Sequence, residues 1–229
     1  MGLSLVAGPA IFDLPAAREG KSLLQWRPDL GTRIGVIALD GSPPIWLEAE
    51  PFFVFHFANA FERGGDIVVD YVRHQSFGTG YAAPRAVPTL HRLSIDLAGR
   101  SLKDAELADM MVEFPRINDS FNALPTRFTY LPTLTDSLRM EKPPSATFNT
   151  MLKVDTESGR IARHDFGNRM AGEAAFIPRG SSREDDGYVA VFVFDPETQT
   201  SDFVLLDAGH IEGEPVAVVR LPQRVPQGL

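Results

Sequence analysis

Apolar residues in this chain come in short β-branched and aromatic runs broken by turn formers. The runs Arg33 to Leu39, Phe52 to Phe57, Ile67 to Val72, Leu90 to Leu97, Thr147 to Val154, Tyr188 to Phe194, Phe203 to Leu206 and Val216 to Leu221 are predicted strands. No long segment keeps a 3.6-residue apolar period, and prolines and glycines punctuate the whole length. The nearest helical candidate, Lys103 to Met111, is short and runs into Pro115. The expected fold class is therefore all-β.

Two segments repeat one pattern of strand, Asp-led turn and strand: Leu152 to Phe166 around Asp155, and Val193 to Leu206 around Asp195. Their aspartates stand 40 positions apart, close to the ~40–45 residues of a four-stranded propeller blade. A weaker third copy surrounds Asp96, 59 positions before Asp155. The 229 residues are long enough for one domain, 1–229, with about five blades' worth of sequence by that blade length. A β-sandwich with irregular loops is the competing architecture.

Composition narrows the chemistry. A net charge of -8 and a pI near 5.1, with no block of Lys or Arg, make nucleic acid an unsuitable partner. No stretch reaches the ~20 apolar residues of a membrane span. Residues 1–10 also lack the basic opening of a signal peptide, so the expected location is cytoplasmic. The absence of cysteine excludes disulfides, thiolate nucleophiles and Cys-based metal sites, so any metal must sit on His, Asp or Glu.

His56 stands in a phenylalanine-thick run, Phe52 to Phe57. In a period-2 strand its ring would share a face with Val54 and Ala58 and point away from Phe53, Phe55 and Phe57. A polar ring there needs a partner. It is either a core histidine bonded to a carbonyl or carboxylate, or a metal ligand. Glu113, between Val112 and Phe114, tilts toward burial, whereas Glu173 among Gly172, Ala174 and Ala175 is either on a solvated turn or buried with a partner. The run Glu184, Asp185, Asp186 reads as a solvated turn before Gly187. His74, His91, His164 and His210 sit beside charged or turn residues and are expected at the surface.

The segment Phe55-His56-x-x-Asn59-Ala60-Phe61-Glu62 resembles a histidine motif of the carotenoid cleavage oxygenases, which include carotenoid, apocarotenoid and lignostilbene dioxygenases. Further resemblances follow in order: Val112-Glu113-Phe114-Pro115-Arg116-Ile117-Asn118 with Arg127 to Tyr130, Gly172-Glu173 through Pro178-Arg179 to Glu184-Asp185-Asp186-Gly187-Tyr188, and the closing Leu221 to Gly228. Ala174 departs from a common proline and Phe61 from a common tyrosine.

The resemblance implies a seven-bladed β-propeller carrying ferrous iron on four histidines, some of them tied down by glutamates. It implies that His56 is one of the four ligands and that Glu113 and Glu173 are two of the glutamates. Oxidative cleavage of a carbon-carbon double bond by dioxygen would follow, on a carotenoid, apocarotenoid or stilbene-like substrate. From the residues themselves, Phe53, Phe57 and Phe61 either line an apolar tunnel or are plain core, as strand phenylalanines more commonly are. Peripheral contact with a membrane would give access to so apolar a substrate. The resemblance also implies that the chain is the C-terminal portion of such a propeller. Holding one matched ligand of four, it is expected to be inactive by itself. Two other readings compete: a non-catalytic binding propeller with a structural His56, and a lactonase-type hydrolase using carboxylate ligands and calcium or zinc.

Overall fold

The computed structural model describes residues 2–7, 10–20, 23–76, 87–139, 147–180 and 182–226. Among them, sixteen strands form five sheets in which neighbouring strands pair antiparallel. The first five are β1 (Gly2–Ala7), β2 (Ala10–Phe12), β3 (Leu24–Trp26), β4 (Thr32–Ala38) and β5 (Ile45–Ala49). They make a three-stranded sheet in the order β1-β4-β5 and an inserted ribbon, β2-β3. A four-stranded meander follows, of β6 (Phe57–Arg63), β7 (Asp66–Arg73), β8 (Thr89–Asp96) and β9 (Ser101–Ala108). Then come a three-stranded sheet, β10 (Phe128–Thr133), β11 (Thr150–Asp155) and β12 (Ile161–Asp165), and a second four-stranded one. The latter holds β13 (Met170–Pro178), β14 (Gly187–Asp195), β15 (Thr200–Asp207) and β16 (Ala217–Arg220).

Up-and-down sheets of this kind, packed face against face, are blades of a β-propeller, present here in part. The core lies in the seams between them. Ile34, Phe52, Tyr71 and Ile95 join the first sheet to the β6–β9 blade. Val72, Leu90, Val112, Leu131 and Leu152 join that blade to β10–β12. Tyr130, Met151, Val191 and Leu206 join β10–β12 to the last blade. Each such side chain contributes about 1.5–3 kcal/mol by leaving water, so the seams hold neighbouring blades in register.

The Asp-led turns repeat one geometry. The Asp155 carboxylate accepts the main-chain N–H of Glu157 and Ser158, and the N–H of Gly159, in the left-handed region at φ 73, donates to the Asp155 carbonyl. Asp195 binds Glu197 N–H in the same way, with Gln199 at φ 59 closing the turn. The third copy is real as well: Asp96 accepts from Gly99 N–H, and Arg100 is at φ 50. Short aspartates win here because they bond their own turn's backbone.

Two expectations fail. Lys103 to Met111 is not a helix, since Ser101–Ala108 is strand β9. A segment of nine residues is too short to sustain a helix alone, whereas the waiting edge of β8 offers a ladder from Leu90 to Asp96, broken only by a register shift between Leu90 and His91. Phe52 to Phe57 is not a regular strand either. β6 begins only at Phe57, and the residues before it hold to the sheet through an isolated bridge between Phe53 and His74. A register shift between Phe57 and Asn59 breaks the alternation that the period-2 reading of His56 assumed.

The closing motif lies partly outside the described residues, at 227 and 228. No helix among the described residues is long and apolar enough to cross a membrane.

Candidate functional site

His56, Glu113 and Glu173 occupy equivalent places on three successive sheets, each at the leading edge where the ladder is irregular. His56 precedes β6. Glu113 lies on a segment that runs along β10 as two isolated bridges, Val112 to Thr133 and Arg116 to Tyr130. Glu173 sits at the bulge between Ala171 and Ala174 in β13. Bulged or unpaired edges re-aim side chains out of the pleat, which is what a site assembled across blades requires.

Glu113 is the hub. Its side chain is 7% exposed, and its Oε2 accepts from His56 Nδ1 at 2.7 Å and from the Phe114 N–H at 2.8 Å. Its Oε1 accepts from His74 Nε2 at 2.5 Å. An ionised carboxylate can only accept, so both contacting ring nitrogens carry the proton. His56 is thereby held as the Nδ1–H tautomer, and its Nε2 lone pair meets no hydrogen-bond partner among the described residues. Burial by itself would raise the Glu113 carboxyl. The bonds from His74, Phe114 and His56 more than offset that and hold it below its ordinary 4.5.

The main chain contributes to this arrangement. Phe114 sits in the left-handed region at φ 49, a conformation that costs a non-glycine residue of order 1 kcal/mol. That turn aims its N–H at the carboxylate of its own neighbour. The Phe114 ring then packs at 4.8 Å from the His56 ring and edge-on to Phe148. The His56 ring itself remains 40% exposed.

Glu173 is engaged differently. It bonds Arg116 Nη2 and no histidine among the described residues, so of the alternatives left open for it the structure takes the partnered one. Since Arg116 lies three positions beyond Glu113, the two glutamates belong to one polar seam joining three blades. The phenylalanines divide. Phe53 is half-buried and Phe57 exposed, but Phe61 is only 3% exposed, with the guanidiniums of Arg63 and Arg92 beside its ring. Phe61 is thus a core residue and lines no open surface.

Two more expectations need correction. His74 and His91 are not surface histidines: their side chains are mostly buried, and His91 bonds Asp104 and Thr89. The acidic run is not merely a solvated turn. Glu184 accepts the main-chain N–H of Arg127 and Phe128, Asp185 pairs with Lys153 at 2.9 Å, and Asp186 pairs with Arg179. Glu184 and Asp185 find donors because the turn folds back onto the neighbouring blade, and Asp186 finds one on its own hairpin. His74 is the functional residue that sequence reasoning missed. The signal was available: folding the hairpin about Gly64-Gly65 brings His74 beside Phe53, three residues from His56.

Glu113→Gln is expected to lose one of the two imidazole bonds, since an amide offers a donor where a second acceptor is needed. Stability should fall by about 1–3 kcal/mol. The folded carboxyl titrates below its unfolded value, so its contribution is complete above pH ~4.5 and disappears as pH falls through the lower folded value. Urea unfolding across that range checks this: the gap between variant and wild type should close on acidification, and a gap independent of pH would contradict the role given to the charge.

A bound metal would find one suitable donor here, the His56 Nε2. Among the described residues no group of three or more His, Asp or Glu is arranged to hold an ion.

Comparison with known proteins gives the family and the fold. The family described as retinal pigment epithelial membrane protein, RPE65, matches residues 5–229. Carotenoid 9,10(9',10')-cleavage dioxygenase 1 of Arabidopsis thaliana is 30% identical over 247 residues, covering 96% of this chain and 45% of the relative. Isoeugenol monooxygenase of Pseudomonas nitroreducens is 30% identical over 235 residues, covering 95% of this chain and 49% of the relative. Among solved structures, cobalt-substituted Synechocystis ACO superposes with a TM-score of 0.85 at 26% identity, over 97% of this chain and 49% of that one. The chain spans about half the length of the relatives it matches.

Proposed function

The chain belongs to the RPE65 family, the carotenoid oxygenases, and from that membership we propose that its protein cleaves a carbon-carbon double bond of a carotenoid-like substrate with dioxygen, using ferrous iron. In this reading His56 is one ligand of the iron. The observation that carries it is the Glu113–His56 pair: Nδ1 is committed to the carboxylate, and the other nitrogen of this half-exposed imidazole has no partner among the described residues. Imidazole suits iron(II), and a carboxylate behind it raises its basicity and fixes its aim.

When bound, iron supplies the activation of dioxygen that closed-shell side chains cannot provide. The rest falls to the protein. Glu113 holds the His56 proton at Nδ1, and Phe114 covers one side of the ring. Phe53 and Phe57 offer apolar surface beside the ligand for a substrate without polar handles, a role that Phe61 is too buried to share. The reaction balances without a further oxidant, since one double bond and one dioxygen give two carbonyl groups. Because His56 is one donor of several, catalysis belongs to the protein with its full ligand set, and the described residues alone would not retain iron.

The test is a purified intact protein loaded anaerobically with Fe(II) and given an apocarotenoid or a stilbene. One dioxygen should be consumed per double bond cleaved, with carbonyl products that vanish on chelation and return with Fe(II). Cleavage that survives iron removal would overturn the reading, and so would iron-loaded protein that cleaves neither substrate. Cleavage of the stilbene alone would move the substrate class and leave the chemistry standing.

A further inference from the structure

Glu113 makes more bonds than His56 alone requires. The carboxylate has donors on both oxygens, and the one on Oε1, His74, comes from the far end of β7. With His74 removed, Glu113 would keep two donors, both on Oε2, and its other oxygen would be buried without a partner among those described. Such a carboxylate can swing about its last bond and relieve the deficit by turning away from His56.

His74 also grips the same segment through its main chain. Its N–H and carbonyl both bond Phe53, each at 2.8 Å, and two residues earlier the N–H of Val72 bonds the His56 carbonyl at 3.0 Å. The ring packs edge-on against Phe55 at 5.0 Å. One residue therefore touches both the segment that carries His56 and the carboxylate that orients it.

We propose that His74 is a positioning residue for His56, its Nε2–H locking the second oxygen of Glu113 so that the first holds the His56 ring in one tautomer and one orientation. The consequence for metal binding rests on the reading of His56 as a ligand, whereas the effect on the ring's tautomer does not. A histidine serving only to satisfy a buried glutamate would leave the behaviour of His56 unchanged when replaced.

The experiment is nitrogen-15 NMR of the imidazole rings in metal-free full chain, together with chelator competition for Fe(II) in the intact protein. In the wild type, His56 should show a single Nδ1–H tautomer and His74 a protonated, hydrogen-bonded Nε2. His74→Phe should mix the His56 tautomers and weaken iron binding by about 10–100-fold. His74→Gln, which places an N–H near the same oxygen, should recover most of both.

A wild-type His74 with a bare Nε2 overturns the inference without any variant, even if His74→Phe does not fold. A His74→Phe protein with wild-type tautomer and wild-type affinity overturns it too. If the wild-type protein binds no iron, the ligand reading fails, and the ring signals alone decide the role of His74.

Discussion

Arg92→Met is expected to destabilise the fold by about 3–5 kcal/mol, the penalty for leaving one member of a buried ion pair behind. Arg92 on β8 stands directly across from Asp70 on β7, and its Nε and Nη2 each donate to one carboxylate oxygen at 2.7 Å. Asp70 is 1% exposed. The guanidinium also donates to Thr156 on the turn after β11, so the same side chain ties the β6–β9 blade to its neighbour. Methionine preserves the stem and its packing but takes away the guanidinium bonded to the carboxylate, leaving only the charge of Arg63, to which it is not bonded.

Burial already sets the folded Asp70 carboxyl above its ordinary 3.8, despite the bonds from Arg92 that pull it down. Without Arg92 it must rise further. A group whose folded value lies above its unfolded one favours folding most at low pH and least once pH has risen through the folded value. The variant's deficit should therefore be largest near neutrality and shrink on acidification. Urea unfolding at pH 5 and pH 8 tests both parts, with Asp70→Asn/Arg92→Met expected to recover a substantial share. A loss below about 1 kcal/mol at pH 8 would show that the pair is idle.

What could be read from the sequence tracked how strongly each strand is apolar. β4, β7, β8 and β14 carry buried Ile, Val, Leu and Phe in succession, and the predicted runs coincide with them to within a residue or two. β9 and β12, at the outer edges of their blades, bury little, and they form because a neighbouring edge needs partners. Composition cannot announce such strands, and β12 is legible only as the second arm of the hairpin around Asp155. At the site, His56 and Glu113 were legible as local motifs, yet their bond joins residues 57 positions apart and depends on a bulge and a left-handed Phe114, neither of which has a local signature. His74 was missed because a histidine between Arg73 and Gln75 looks solvated until the hairpin register is drawn. Of the two readings open to Phe61 the structure takes the core one, and the register shift between Phe57 and Asn59, which the sequence does not signal, separates its face from that of Phe57.

His56→Ala is the sharper functional experiment, because it separates a ligand from a residue that merely fills space. Iron affinity should drop well beyond the ~100-fold that marks the upper end for outer partners, and double-bond cleavage should fall below detection. Stability should change little. The ring is half-exposed, and Glu113 keeps its bonds to His74 and to the Phe114 N–H, so the loss should stay near the ~0.5–1.5 kcal/mol of one hydrogen bond. Had His56 been a plain core histidine, the pattern would reverse, with a large loss of stability and metal content untouched. Metal analysis and urea unfolding on one preparation of His56→Ala therefore decide between the two roles. Imidazole added to that variant should restore part of the bound iron, since the space vacated beside Glu113 admits a free ring and the carboxylate remains to hold it.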